Sequence, residues 1–426
     1  MKIIIPHIHK IEGEAGFWAK VTREGKIEEL KIKTLEGLRQ IEGILIGRRF
    51  FEVPMIISRI CGICPVVHTL NSCVSLEKIL NLKVSPITIL LRKLMLIGQI
   101  IQSHSLHLFF LSLADFFKIE NDLDLLKKFP KESKAIFSIR DYSTKIINII
   151  GGRSIHPITP TIGGFLKFPE KKAISNLLEE NKKNFEAILN LAYFFENLDY
   201  PILERKQIFA SLFSKNEFSF YQANRMLIDK EMISLGDFYS VKIQEDFKIP
   251  PVKKVKYKEK SYMVGAIARV ANNFSFLNPQ AKIIFKRFSK NKKNSIFSNI
   301  FLNVFFQMIE IVHFFEEIQK IIKEILKEPI ELEREEVKRK IKIKKGSGLS
   351  VMEAPRGTLF TYFELDKEGR VFNCNIITPT AQFLNNLEED LKIYLPKILN
   401  LPQKERIRKI RALIRTYDPC ISCAVH

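Results

Sequence analysis

Two Cys-x-x-Cys pairs lie near opposite ends of the chain: Cys61-Gly-Ile-Cys64, followed by His68, and Cys420-Ile-Ser-Cys423, followed by His426. Each pair sets two thiols about one turn apart, and two such pairs brought together offer four soft ligands to one metal centre. Structural zinc sites use the same residues. Zinc ribbons, however, close a local loop of roughly 15–20 residues between pairs. Here almost the whole chain separates Cys64 from Cys420, so the ligands meet only when the complete fold forms. That arrangement suits a buried reaction centre better than a local staple.

Other polar side chains fall where they can serve such a centre. His68 lies four residues beyond Cys64, so on a helix its imidazole reaches that sulfur and tunes the thiolate. His104, His107 and Asp115 share an apolar stretch; at about 100° per residue Asp115 falls within about 20° of His104 and about 80° of His107. Buried polar groups require partners, so this stripe predicts contacts inside the protein. For Glu12 the residue type alone predicts a solvated charge.

Periodicity outlines the elements that carry these residues. Phe17–Arg23 and Lys26–Lys33 alternate apolar with polar about Glu24-Gly25, which reads as a hairpin. Helical patterns run over Leu35–Arg48, Ser58–Leu80 and Pro86–Phe117, the last two buried or half-buried. Leu177–Leu198 is amphipathic, and Ile300–Leu326 aligns Phe301, Val304, Phe305, Met308 and Ile311 as a core stripe. From Ile330 to Thr380 the period returns to two, through Glu333–Lys344 and Gly357–Thr378, with a turn at Lys367–Arg370. Helices over Leu384–Leu399 and Gln403–Ile414 then lead into the second cysteine pair. The predicted fold class is mainly α: a large helical core with small antiparallel sheets near the N-terminus and around residues 330–380. We expect one unit over 1–426, comprising a hairpin (1–34), a mainly helical part (35–329), a sheet region (330–380) and closing helices (381–426).

Composition removes several function classes. With 46% hydrophobic residues and 34 Phe among 426 residues, the chain can bury a large core and is not a disordered one. The net charge of +21 comes from lysines mixed with Ile, Asn and Phe throughout, without a nucleic-acid-binding motif, so no nucleic-acid partner is expected. Basic residues concentrate at Lys253–Lys260, Lys286–Lys293 and Lys338–Lys345, and the first and third runs alternate like exposed strands. The most apolar stretch, Leu106–Phe117, is interrupted by His107, Ser112 and Asp115, so no transmembrane segment is expected. The N-terminus is too short in apolar residues for a secretory leader, which points to a cytoplasmic protein. Six cysteines are present; with four as ligands only Cys73 and Cys374 remain, too few for a disulfide framework or for an additional four-cysteine cluster.

The flanking residues narrow the chemistry. Arg59-Ile-Cys-Gly-Ile-Cys-Pro-Val-Val-His68 and Asp418-Pro-Cys-Ile-Ser-Cys-Ala-Val-His426 resemble the two signature motifs of nickel-iron hydrogenase large subunits. In the same order as in that family stand Lys10-Ile-Glu-Gly13, Arg39-Gln-Ile-Glu42, Gly47-Arg48, Pro54, His104-x-x-His107 with Asp115, and Gly152-Arg153 with His156-Pro157. Gly265-Ala-Ile-Ala-Arg269, Glu353-Ala-Pro-Arg-Gly357 and Ile377-Thr-Pro-Thr-Ala-Gln382 continue the series, so the resemblance spans the chain. It departs at Lys10, where the family commonly has Arg, at Glu14, where His is frequent, and at Phe383, where Asn is usual.

The resemblance implies a Ni-Fe(CN)2(CO) centre in which Cys61 and Cys420 are terminal nickel ligands while Cys64 and Cys423 bridge nickel to iron. It implies heterolytic cleavage of H2, with Cys420 taking the proton and Glu12 receiving it, under a canopy of Asp115, Pro355, Arg356 and Asp418. Thr380 would hydrogen-bond a cyanide. Glu42, the carbonyl of Ile376 and His426 would bind Mg2+ or Fe2+. Partners implied are an iron-sulfur small subunit docking near Arg59 and the first pair, further flavin- or NAD(P)-linked electron-transfer subunits, and maturation proteins, one of which in family members removes a peptide after the position that His426 holds here. Among acceptor groups the chain looks most like the cytosolic NAD(P)-linked or sulfhydrogenase enzymes, with heterodisulfide-linked enzymes of methanogens next. Two other classes stay open: a non-enzymatic structural subunit on the same fold, whose known relatives lack the cysteine quartet, and a basic zinc-binding protein.

Overall fold

The N-terminal alternation folds as a three-stranded antiparallel sheet, one strand more than the expected hairpin. Ala15–Val21 pairs with Ile27–Thr34 across the Glu24-Gly25 turn, and Lys2–Ile5 adds to its other edge with Ile5 opposite Phe17. The computed structural model describes residues 1–237, the backbone of 243–246, and residues 252–290, 296–329 and 341–426. Of the helix expected over Leu35–Arg48, only Ile41–Leu45 forms. Gln40 before it is left-handed (φ 52°) and Gly47 after it has φ 81°, so the flanks run as loop whose side chains serve tertiary contacts.

The core is helical. Pro86–Leu106, Pro130–Gly151, Lys171–Glu196 and Asn303–Ile325 pack on one another. Asn303–Ile325 is buried on almost every side, which explains why its apolar residues exceed a single stripe. Pro86–Leu106 continues as a π-helical segment, His107–Leu113, and ends at Phe116. This 31-residue span is long and apolar enough to cross a membrane, yet 78% of its most apolar window is buried inside the protein, as for a core helix.

A meander of Gly346–Ala354, Gly357–Leu365 and Val371–Ile377 supports the Pro65–Leu80 helix, which lies across its first two strands. Ala354 pairs directly with Gly357, leaving Pro355 and Arg356 at the tip of a two-residue turn. Gly357 has φ 131°, and a Cβ there would sit 2.4 Å from Val264 Cγ2, so only glycine lets this turn press against the neighbouring segment. The Glu333–Lys344 alternation falls mostly outside the described residues; 341–345 form no strand, and the sheet starts at Gly346. Three sheets were not expected as such: Ala210–Phe213, Arg225–Ile228 and Glu231–Ser234 form one, Ile243–Asp246 with Lys254–Tyr257 another, and Pro160–Thr161 with Gly164–Phe165 a third. The Lys253–Lys260 run thus does contain a strand, but Val255 and Tyr257 are buried and Lys254 reaches Glu388 at 2.7 Å, so it is not a solvated face. Pro379–Ile398 and Gln403–Thr416 close the chain close to their expected bounds.

Candidate metal centre

The first cysteine pair occupies a break before a helix, and the second spans the start of one. Pro65 at the first position of Pro65–Leu80 costs no hydrogen bond there and leaves Cys64 as the N-cap residue, while Cys420 precedes the short helix Ile421–Ala424. Ligand sulfurs therefore sit at the positive ends of peptide arrays. All four sulfurs are buried and lie within 4.8 Å of one another, with Cys61 Sγ 3.5 Å from Cys420 Sγ and Cys64 Sγ 3.1 Å from Cys423 Sγ. Without a cation the four cannot all ionise. The other three sulfurs hydrogen-bond the Cys61 thiolate and hold it well below the usual thiol range, whereas burial pushes Cys420 and Cys423 well above it. A bound metal removes that conflict by deprotonating every ligand.

Arg39 joins the two arms. Its guanidinium donates to the Ile60 carbonyl ahead of the first pair and to the Ser422 carbonyl inside the second. A small pocket adjoins the sulfurs, lined by His68, Pro355, Arg356 and Thr380 among others. Arg356 Nη1 is buried there without a partner, and the Thr380 hydroxyl accepts from Cys420 N–H at 3.0 Å. Four converging thiols, a cavity and an unpaired buried cation fit a soft-metal centre with small anionic or polarisable ligands.

Glu12 is not the solvated charge its type suggests. Its backbone bridges to Cys420, and its carboxylate lies 2.9 Å from Cys420 Sγ and accepts from Ser422 N–H at 3.2 Å. Burial, reinforced by the Cys61 thiolate, raises its pKa. Beyond it the Ser422 hydroxyl is 3.4 Å from Glu36 Oε1.

Three expectations change. His68 Nε2 faces Cys423 Sγ at 3.9 Å, not Cys64 as the helical spacing predicts. Cys64 caps the helix with non-helical dihedrals (φ −117°, ψ 34°), so the i, i+4 geometry of a continuous helix does not hold between it and His68. Burial keeps His68 neutral, with a pKa of about 3. Asp115 is not paired with Arg356: its carboxylate binds Arg415 at 2.7 Å and lines a separate cavity with Ser112 and Thr416. The π-helical winding of His107–Leu113 changes the angular step on which the shared stripe with His104 depended.

The two histidines nevertheless reach the Pro355-Arg356 turn through the Asn303–Ile325 helix. His104 Nε2 is 2.8 Å from Glu310, which accepts from Arg269 Nε and Nη2; Arg269 also donates to Glu353 and to the carbonyls of Ala354 (2.8 Å) and Pro355 (3.0 Å). His107 Nδ1 is 2.5 Å from Gln307 Oε1, Gln307 donates to Asp418 at 3.2 Å, and Asp418 binds Arg356 at 2.8 Å. Against the pull of burial, Arg269 holds Glu310 at about 2, whereas burial lifts Glu353 to about 7. Asp418 itself is left-handed (φ 53°), a conformation this network holds in place.

The second ion site does not fit as the resemblance implied. Glu42, Ile376 and His426 do converge: His426 Nε2 is 3.0 Å from Ile376 O and 3.8 Å from Glu42 Oε1. An ammonium is already among them, since Lys253 Nζ lies 2.7 Å from Glu42 Oε1 and 3.1 Å from Ile376 O.

This geometry belongs to a known class. Residues 39–138 and 211–426 match the family described as nickel-dependent hydrogenase, and the chain belongs to that family, as a large subunit. Over its full length it is 33% identical to the alpha subunit of sulfhydrogenase 1 from Pyrococcus furiosus, covering 98% of that protein. It is 28% identical, again over its full length, to a subunit of the F420-non-reducing hydrogenase from Methanothermobacter marburgensis, covering 95% of that chain. The fold matches the crystal structure of an NAD+-reducing [NiFe]-hydrogenase in the H2-reduced state with a TM-score of 0.87, at 22% identity over 100% of this chain and 99% of that one.

The sequence alone assigns no individual role to Arg39, Arg269, Arg415 or Lys253. Arg39 and Arg269 stood inside quoted motifs; Arg415 and Lys253 are single cations in a chain with 68 Lys and Arg.

Proposed function

We propose that this chain is the hydrogen-activating subunit of a nickel-iron hydrogenase, in which Cys61, Cys64, Cys420 and Cys423 would hold nickel and Cys64 and Cys423 would also serve an iron that carries carbon monoxide and cyanide. The observation that carries the reading is the Glu12 carboxylate 2.9 Å from Cys420 Sγ at the edge of a buried four-sulfur cluster. When bound, such a centre polarises H2 and accepts its electrons. The rest falls to the chain. Cys420 Sγ takes the proton, and Glu12, whose raised pKa lets it hold a proton closer to neutral pH, relieves it. Ser422 and Glu36 continue toward the surface. Arg356, fixed by Asp418, presents its unpaired Nη1 as a cation to the cavity, and Thr380 lines the same space.

Electrons leave through an iron-sulfur small subunit, because the two remaining cysteines cannot hold a four-cysteine cluster. Phe51, Met55 and Ile155 are more than two-fifths exposed near the first pair, where His156 also binds the Ser58 carbonyl, and offer an apolar docking face. The sulfhydrogenase relative supports sulfur as the eventual acceptor; NAD(P), and as the second reading a heterodisulfide-linked complex, follow from the family resemblance. Elemental analysis and infrared spectroscopy of the native complex test the centre. Nickel and iron with carbonyl and cyanide bands are expected; zinc alone, with no such bands, refutes it.

A further inference from the structure

The Glu42 cluster gathers one carboxylate, two other oxygen acceptors and an imidazole at a half-buried position next to the second cysteine pair. Lys253 Nζ is bonded to Glu42 Oε1 at 2.7 Å, Asn375 Oδ1 at 2.5 Å and Ile376 O at 3.1 Å, so its three donors have three acceptors. Glu42 Oε1 also accepts from Ile376 N–H at 2.6 Å, and His426 Nδ1 lies 2.6 Å from Cys423 O. The Glu42–Lys253 pair balances its own charge. A divalent ion among these groups would place three positive charges in contact range with Glu42 as the one carboxylate among the described residues of the cluster, at a site only partly open to screening water. Mg2+ would also have to exchange its tightly held waters for a carbonyl and a carboxylate oxygen already engaged by the ammonium.

We propose that Lys253 is the resident cation of this cluster: its ammonium takes the position of a divalent ion beside Glu42 and the Ile376 carbonyl, and so links the Glu42 segment to the strand that receives the C-terminal tail. The tail meets the same carbonyl through His426 Nε2 at 3.0 Å, so the ammonium acts on it through Ile376 and not by direct contact.

The test is a metal count on the complex purified in chelator-containing buffer, joined to an anomalous difference map at the iron edge from its crystals. Nickel and iron at the sulfur site are expected with no magnesium or manganese in step with nickel, and no scattering peak beside Glu42. One magnesium per nickel in the wild type, or an iron peak between Glu42 and His426, overturns the assignment. Lys253→Met removes the charge at similar volume, and titration with Mg2+ is expected to raise its melting temperature while leaving the wild type unmoved. A soluble Lys253→Met protein that gains no Mg2+ dependence also overturns it, and if that variant does not fold, the wild-type count decides alone. Nickel is read separately from magnesium, so loss of the hydrogenase reading and loss of this one give different results.

Discussion

The sulfur pocket and the Glu42 cluster are built alike and completed differently. Both collect ligand-type side chains from distant parts of the chain, and both end in the C-terminal tail, through Cys423 in one and His426 in the other. In the pocket, Arg356 keeps a free Nη1 and favours the ionised Cys61, but its single charge does not offset four crowded thiolates. In the cluster, Lys253 makes three bonds to the acceptors. The contrast teaches that a convergence of donors marks a metal site only when the protein has not supplied the cation itself.

Changes in the pocket should break this comparison most. Cys423→Ser is expected to lose nickel and all hydrogen uptake while the protein remains folded, as seen by elemental analysis beside circular dichroism. Glu12→Gln should keep nickel and the infrared bands but lower H2/D2O exchange about 10²- to 10⁴-fold, the usual worth of a positioned proton acceptor. Unchanged exchange would remove Glu12 from the proton route.

Arg269 extends the self-neutralised side of the comparison into the core. Arg269→Gln strands Glu310 and Glu353, both fully buried, and should cost about 3–5 kcal/mol in denaturant unfolding. It also frees the carbonyls of Ala354 and Pro355, so a shift of the infrared bands is expected at full metal load. The smallest effect is a pH dependence remote from both sites. Burial lowers His313 from 6.5 to about 4, so between those values the unfolded chain binds the extra proton and stability falls as pH drops. Full development is worth about 3 kcal/mol. His313→Gln should flatten the acid limb of the melting-temperature profile; an unaltered limb would place the titration elsewhere.

Much of the frame was legible because local patterns encode it. The alternation around Glu24-Gly25, the buried stripe of Asn303–Ile325 and the helices leading into the second pair all follow from period and turn chemistry. The segment from Leu35 to Arg48 misleads because its apolar spacing is helical while Gln40 and Gly47 take left-handed dihedrals. His68 and Asp115 point elsewhere than their spacing predicts for a similar reason. An angular argument assumes an uninterrupted α-helix, and one residue follows a non-helical cap while the other follows a π-helical segment.

By itself the sequence determined the ligand chemistry: four thiols in two short pairs, a carboxylate in the Lys10–Gly13 element, and an arginine between Pro355 and Gly357. Tertiary structure alone decided which cations answer which anions. Lys253 meets Glu42 from 211 residues away and Arg415 meets Asp115 from 300, and nothing local distinguishes either from the other basic residues of a lysine-rich chain. Electrostatic pairing depends on distance and burial in space, and those are set only when the helical core brings the segments together.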